Sequence, residues 1–393
     1  MPETSLPTLP VAADEFLLRP GITFLNHGSF GACPRPVFDI YQSWQRKLEE
    51  QPVEFLGRQI NTLLAEARAR LAAYLGTHAD SLVYVPNATY GVNIVARSLE
   101  LAPGDEVLAS NQEYGACDRT WRFVCQRRGV RYINQPIALP VESAEAVVDQ
   151  LWAGVTERTR VIFLSHITSP TALIFPITAI CRRAREHGIM TVIDGAHAPS
   201  QVELALDQLS PDFYSGNCHK WLSAPKGAGF LYARPELQPL LEPLVVSHGW
   251  DSLNPRASKF LDYFEWPGTH DPAAFLSVPA AIDFQAARNW PAVRAACHEL
   301  LLDASHRIAA FSGRPQISPD TAEWWAQVRT IPLPPCNLTV LKDRLWDEYQ
   351  VEVPMVGWGG GHYVRVSIQC YNGPNDVDRL VEGLTRLLPE TAL

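Results

Sequence analysis

The chain is poor in lysine. Among 393 residues it has five, Lys47, Lys220, Lys226, Lys259 and Lys342, so chemistry that needs a lysine amine has few places to occur. Its eight cysteines form no C-x-x-C pair and are widely and irregularly spaced. In a chain of this size they read as reduced, mostly packed thiols of a cytoplasmic protein. Cys297-His298 with His306 has the residue types of a metal site. The surrounding leucine-rich helical pattern (Glu299-Leu300-Leu301-Leu302) favours packing, and no metal is expected. No block of basic residues appears and the net charge is −9, which leaves no electrostatic case for nucleic acid or an anionic membrane. No apolar run is long enough to span a bilayer. Met1-Pro2-Glu3-Thr4-Ser5 lacks the cationic, then apolar, pattern of a secretory signal, so none is expected. The cluster Gly357-Trp358-Gly359-Gly360-Gly361 lacks G-x-G-x-x-G spacing, and no Walker A sequence, internal repeat or low-complexity segment is present.

What is there is the pattern of a two-domain α/β protein. Residues 1–24 read as a Pro-rich, irregular arm or part of the smaller domain. Helical spacing runs from Pro36 to Glu50 and from Glu54 to Leu75, where Leu63, Leu64, Ala67, Leu71 and Leu75 recur on one face. Strands then alternate with helices. The strands are Leu82–Val85, Glu106–Ser110, Val130–Asn134, Arg160–Ile167, Ile189–Asp194, Asp212–Ser215 and Gly229–Ala233. The intervening helices are Tyr90–Leu99, Ala116–Arg128, Ala144–Val155 and Thr178–His187. This alternation predicts a mainly parallel sheet, of seven strands, flanked by helices. The large domain is expected over residues 25–271 and a smaller α+β domain over 272–393. In the latter, Ala280–Arg288 and Ala292–Phe311 are helical, Trp325–Ile331, Cys336–Asp347 and His362–Ile368 follow, and Asn375–Leu388 is the last helix.

Ligands of parallel sheets bind beyond the carboxyl ends of the strands. Asn87, Tyr114, His166, Asp194 and Lys220 all fall at or just past such ends. Asp194 ends the apolar run Val192-Ile193, and Lys220 sits in Cys218-His219-Lys220-Trp221-Leu222. A carboxylate at a strand end and a partly desolvated lysine are what pyridoxal phosphate (PLP) chemistry needs. The amine forms a Schiff base with the aldehyde, and the acid keeps the pyridine nitrogen protonated so that the ring accepts electrons from Cα. Lys226, in Pro225-Lys226-Gly227, is the rival lysine, in a turn better suited to a backbone or phosphate contact. Asn87-Ala88-Thr89 opens a helix. Alone it reads as an N-cap; with Asp194 and Lys220 present it reads as a phosphate site. His197 is placed to donate to the cofactor's phenolic oxygen, Tyr114 to lie flat on its ring, and Arg365 to clamp a carboxylate. Each taken alone is equally a packed or surface side chain.

Together these residues resemble the class V aminotransferase family of fold-type-I PLP enzymes, from about Phe24 to Leu388. The motifs are Asp-x-x-His at Asp194, His-Lys-Trp at His219, and Pro-Lys-Gly behind them. Phe24-Leu25-Asn26-His27-Gly28-Ser29-Phe30-Gly31 and Gln51-Pro52-Val53-Glu54-Phe55-Leu56 resemble the branch holding isopenicillin N epimerases, cysteine desulfhydrases and related C–S lyases. The resemblance implies Lys220 as the Schiff-base lysine, Asp194 on the pyridine nitrogen, His197 near the ring oxygen and Tyr114 stacking where relatives often have histidine. It implies Ala88, Thr89, Asn217 and His219 on the phosphate, with Asn217 standing where many relatives have serine. Ser169, beside Thr168, stands where relatives carry an asparagine near the ring oxygen. Thr269 matches a residue that reaches the phosphate of a neighbouring subunit, which implies a homodimer with shared sites. Arg365 would bind the substrate carboxylate, and Asn26 and His27 would line the substrate side. The reactive cysteine loop of persulfide-forming desulfurases has no counterpart at Cys336 or Cys370.

The expected reaction is therefore at Cα of an amino acid or its derivative. Epimerisation, with Tyr114 or His27 as second acid, leads narrowly over C–S β-elimination, and transamination follows. A non-catalytic binding module is disfavoured by intact Asp194 and Lys220, and a nicotinamide dehydrogenase by the missing glycine fingerprint.

Overall fold

The computed structural model describes residues 13–256 and 258–393. Residues 1–12 of the expected arm lie outside the described residues.

Strand β1 (Thr23–Phe24) comes first, well before the main sheet. That sheet contains β2 (Leu82–Val85), β3 (Glu106–Ser110), β4 (Arg131–Gln135), β5 (Thr159–Ser165), β6 (Met190–Gly195), β7 (Phe213–Asn217) and β8 (Gly229–Ala233). Their order is β2-β8-β7-β6-β5-β3-β4. All neighbours are parallel except β8, which runs antiparallel to both β7 and β2. Successive residues feed opposite cores. Leu108, Ile162, Leu164 and Ile193 enter one cluster, whereas Val107, Ala109, Val161, Phe163 and Val192 enter the other. Both faces are covered, which is why these strands are continuous apolar runs in the sequence. Each large aliphatic side chain so buried contributes about 2 kcal/mol.

The helix Ala88–Ser98 shows how local sequence aims the site. The Asn87 side chain accepts from Tyr90 N at 3.0 Å and caps the first turn. Val92 and Val95 then pack onto the sheet. Gly91 allows the approach, since a Cβ there would stand 2.1 Å from Ser215 Oγ. The helix start is thereby pressed against the ends of β7 and β8.

The C-terminal part is built on β9 (Val328–Leu333), β10 (Val351–Glu352), β11 (Met355–Trp358) and β12 (Gly361–Ser367). β12 lies between β11 and β9, antiparallel to each. Helices Trp290–Ser312, Leu338–Tyr349 and Pro374–Glu390 complete it. This is the smaller α+β unit expected beside the mainly parallel sheet. The glycine cluster turns out to be a two-residue hairpin: Gly359 and Gly360 have φ of 57° and 77°, and Trp358 pairs with Gly361. The segment expected over Cys336–Asp347 is a helix that starts at Leu338, because Asn337 Oδ1 caps Val340 N at 3.2 Å. The helix expected from Glu54 becomes regular only at Ile60, after a wider turn over Phe55–Gln59.

The N-terminal segment is woven into this unit. Thr23 N and Leu25 N donate to Gln350 O and Glu352 O, and Ser367 N donates to Leu25 O, each at 3.0 Å. Phe16 is buried edge-on against Phe284 and Tyr371.

Among the described residues no helix is long and apolar enough to cross a membrane, and no three His, Cys, Asp or Glu side chains gather as metal ligands. His298 instead stacks on Trp325 with ring centroids 3.9 Å apart.

Candidate active site

A cavity of about 550 Å³ opens at the carboxyl ends of the parallel strands. Asn87, Ala88 and Thr89 line it after β2, Tyr114 after β3, and Ser165, Ile167 and Ser169 at and after β5. Asp194, Ala196 and His197 come from the end of β6, and Asn217, His219 and Lys220 from the end of β7. Ser29 and Phe30 close it from the N-terminal segment.

The carboxylate end is held rigidly. Asp194 Oδ1 accepts from Ala196 N at 2.9 Å, and Oδ2 accepts from Cys117 Sγ at 3.3 Å. Burial raises the Asp194 pKa, against the pull of these donors and of Lys220. An added cation at this end would reverse that shift.

The amine end centres on Lys220. Its Nζ lies 3.1 Å from His197 Nε2, and His197 Nδ1 accepts from Trp221 Nε1 at 3.2 Å. Burial lowers the Lys220 pKa to about 8, with Asp194 opposing and Arg365 assisting. The rival Lys226 points elsewhere and donates to Gly31 O at 3.0 Å.

The third corner carries no carboxylate. Asn217 Oδ1 accepts from Ala88 N at 2.8 Å, and His219 Nδ1–H donates to Ala228 O at 2.9 Å. With the N-terminus of the helix Ala88–Ser98, these groups make a polar corner suited to an anion. Burial lowers the His219 pKa to about 4, so it must take up a proton to serve as a second donor. An anion corner, a buried acid and a depressed-pKa lysine in one cavity fit PLP by the chemistry of the donor set.

The cavity does not take in every expected residue. Arg365, on β12, points to Ser169, donating from Nη1 to the Ser169 carbonyl at 2.5 Å, while its Nε is buried without a partner. Asn26 donates to Glu352 Oε1 at 2.9 Å and lies outside the cavity wall. Thr269 is exposed on a loop away from the cavity. His27 is fully buried beneath it. Its Nε2–H donates to Lys220 O at 3.0 Å and its Nδ1 accepts from Tyr371 O–H at 2.9 Å, and burial lowers its pKa to about 3. Both ring nitrogens are thus engaged within the fold, and His27 does not line the cavity. His166 likewise turns inward, to Tyr214 O–H at 2.9 Å.

Sequence reasoning passed over Glu113, Ser165, Cys117 and Trp221. Glu113 accepts from Ser110 Oγ at 2.5 Å and from Ser165 N and Oγ, both at 2.7 Å, and burial raises its pKa to about 7. An acid directly before Tyr114 at a strand end was the available signal. Cys117 had none, since it acts on Asp194 from 77 residues away, and Trp221 stood in the His-Lys-Trp motif without its contact to His197 being readable there.

The class V aminotransferase model matches residues 33–380. The chain belongs to that family. As a member it is a PLP-dependent enzyme. It is 38% identical over 390 residues to the isopenicillin N epimerase of Amycolatopsis lactamdurans, covering 96% of this chain and 98% of that protein. It is 27% identical over 417 residues to the putative L-cysteine desulfhydrase 1 of Oryza sativa subsp. japonica, covering 94% of this chain and 84% of that protein. Its fold matches that of the cysteine desulfurase CsdA of Escherichia coli with a TM-score of 0.79 at 22% identity, over 97% of this chain and 98% of the other. All eight cysteines here are buried, and none lines the cavity.

Proposed function

We propose that the protein is an amino-acid epimerase or racemase acting at Cα, of the isopenicillin N epimerase type. The observation that carries this reading is the 38% identity to such an enzyme across essentially the whole of both chains. The cavity chemistry supports it. Bound PLP supplies a sink for the electron pair left when a bond to Cα breaks. Asp194 would meet the pyridine nitrogen, and Ala88, Thr89, Asn217 and His219 would hold the phosphate. Lys220 would hold the cofactor and, once released as a free amine, would take the Cα proton from one face of one enantiomer or deliver a proton to that same face when the reaction runs the other way. Tyr114, which lines the cavity, would lie over the ring and exchange a proton on the opposite face. Arg365, held by the Ser169 carbonyl just behind the cavity wall and with a buried Nε–H that has no partner in the fold, would turn inward to receive the substrate carboxylate.

A second reading, C–S β-elimination from a cysteine-type substrate, draws on the 27% identity to a putative cysteine desulfhydrase. Elimination needs no donor on the second face. Proton NMR in deuterated water with a panel of L-amino acids, including cysteine, cystine and bulky derivatives, separates the two. Epimerisation gives Cα deuterium with mixed chirality and no fragments. Pyruvate or another keto product with a released sulfur fragment, and no added acceptor, would establish elimination instead.

The working unit in this reading is a homodimer in which Thr269 of each chain meets the phosphate of the other. Support comes from the exposure of Thr269 and from the exposed apolar side chains Val246, Trp250 and Leu253. Sedimentation equilibrium should give twice the 43.7 kDa chain mass. A single-chain mass for active enzyme removes the shared site. Eight unpaired thiols accord with a reducing compartment, which we take to be the cytoplasm.

A further inference from the structure

His197 stands between two groups with restricted hydrogen-bonding options. An indole N–H only donates, and Trp221 Nε1 lies 3.2 Å from His197 Nδ1. Nδ1 must therefore carry a lone pair. The ring is neutral: burial, and then Lys220, Arg365 and His27, hold its pKa well below the usual value. A neutral imidazole with a bare Nδ1 has its proton on Nε2. That N–H faces Lys220 Nζ at 3.1 Å. An ammonium has no lone pair to receive it, so the partner that fits is the free amine.

We infer that Trp221 is a tautomer lock: its indole N–H fixes His197 as an Nε2–H donor, which favours the free amine of Lys220 over its ammonium. With PLP present, the same N–H is ready to donate to the phenolic oxygen. Trp221 is thus a positioning residue that acts on the nucleophile through a histidine. Its consequence for chemistry rests on the reading of Lys220 as the cofactor-bearing lysine.

The packing leaves the lock no slack. Trp221 is fully buried with Ile167, Ala172 and Val328, and the His27 ring lies 5.0 Å from it. Gln285 Nε2 donates to the Trp221 carbonyl at 2.9 Å, and Gln201 Nε2 to the His197 carbonyl at 2.8 Å. Gly28 brings backbone over both rings: a Cβ there would stand 3.3 Å from the indole and 3.5 Å from the imidazole. The groups acting on Lys220 are Asp194 and Cys117, which favour its charge, and Arg365, which with burial opposes it. Opposition prevails and brings the amine's pKa down to about 8, so the free amine is the minor form at pH 7 and becomes the major one above pH 8.

Long-range proton–nitrogen NMR of the full-length protein, labelled at histidine nitrogen, tests the lock. The His197 signals are assigned by their loss in His197→Gln. The expected result is the neutral Nε2–H tautomer at pH 6–8, with and without PLP. Trp221→Phe keeps an aromatic ring and loses the donor. In it the tautomers should mix, which lets Nε2 accept from an ammonium. The midpoint for Lys220 acylation, read by competitive labelling and mass spectrometry without cofactor, should rise by about one pH unit, slowing labelling at pH 7 roughly tenfold. Wild-type His197 protonated at Nδ1 overturns the inference. So does a folded Trp221→Phe with unchanged His197 signals and Lys220 midpoint. If that variant does not fold, the wild-type tautomer alone decides. A lock confirmed in a protein whose cofactor attaches elsewhere would overturn the role of Lys220 and leave the tautomer standing.

Discussion

Lys220→Ala is expected to abolish turnover with every amino acid, a loss of more than about 10³-fold. It should also end covalent attachment of PLP, so that borohydride reduction fixes no cofactor to the chain. The reasons are positional. Lys220 is the lysine that lines the cavity, with an amine whose pKa burial has brought down to about 8. Lys226 is close in sequence but is tied to the Gly31 carbonyl. Lys226→Ala should therefore keep the attachment, and the pair of variants separates a specific loss from a general one. Mass spectrometry of the reduced protein reads both. Covalent cofactor in Lys220→Ala at wild-type yield would sink the site assignment.

The second large effect is at Asp194, where stability and activity move in opposite directions. Burial raises the Asp194 pKa above its ordinary 3.8, so the folded state holds the proton more tightly than the unfolded chain. Its stabilising contribution is complete below about pH 4 and is lost as pH rises through the folded value. At pH 7 the ionised group is a net cost to the cofactor-free fold. Asp194→Asn removes that charge and keeps the shape, and should raise the cofactor-free Tm at pH 7 while leaving it little changed at pH 3.5. With PLP the order reverses, because the wild-type carboxylate gains a pyridinium partner and the amide does not. Activity should fall by on the order of 10²–10³-fold, the scale for losing one preorganised electrostatic partner. Calorimetry with and without PLP, beside kcat/KM, covers all three outcomes. An Asp194→Asn enzyme within tenfold of wild type would exclude a role on the ring nitrogen.

The sheet was legible because parallel strands covered on both faces must be apolar at every position, as Val161-Ile162-Phe163-Leu164 is. Asp194 and Lys220 were legible because they interrupt such runs at strand ends. Element boundaries were less so: caps such as Asn337 shift a helix start by two residues, and a glycine pair that reads as a loose cluster is a tight turn. The surroundings of His27 were not legible for a different reason. Its fate is decided by Tyr371, 344 residues away, whose hydroxyl occupies the nitrogen a substrate would need. Trp221 reads in sequence as apolar filler, and only the direction of its N–H toward His197 shows otherwise. Local pattern therefore identifies the groups that do chemistry, and long-range contacts decide which are free to do it.

The weave of residues 23–25 between Gln350–Glu352 and Ser367, with His27 beneath Lys220 and against Tyr371, bears on how the protein is made. A ribosome delivers the chain from its N-terminus, and early segments fold as soon as their partners emerge. Here the stretch 23–25 has its partners more than 300 residues further along the chain. The main sheet has all its strands by Ala233, but the floor under Lys220 waits for Tyr371. A nascent chain that had emerged only as far as the main sheet would carry a nearly whole cofactor cavity with an unsupported lysine, so the site is finished only once Tyr371 has joined it.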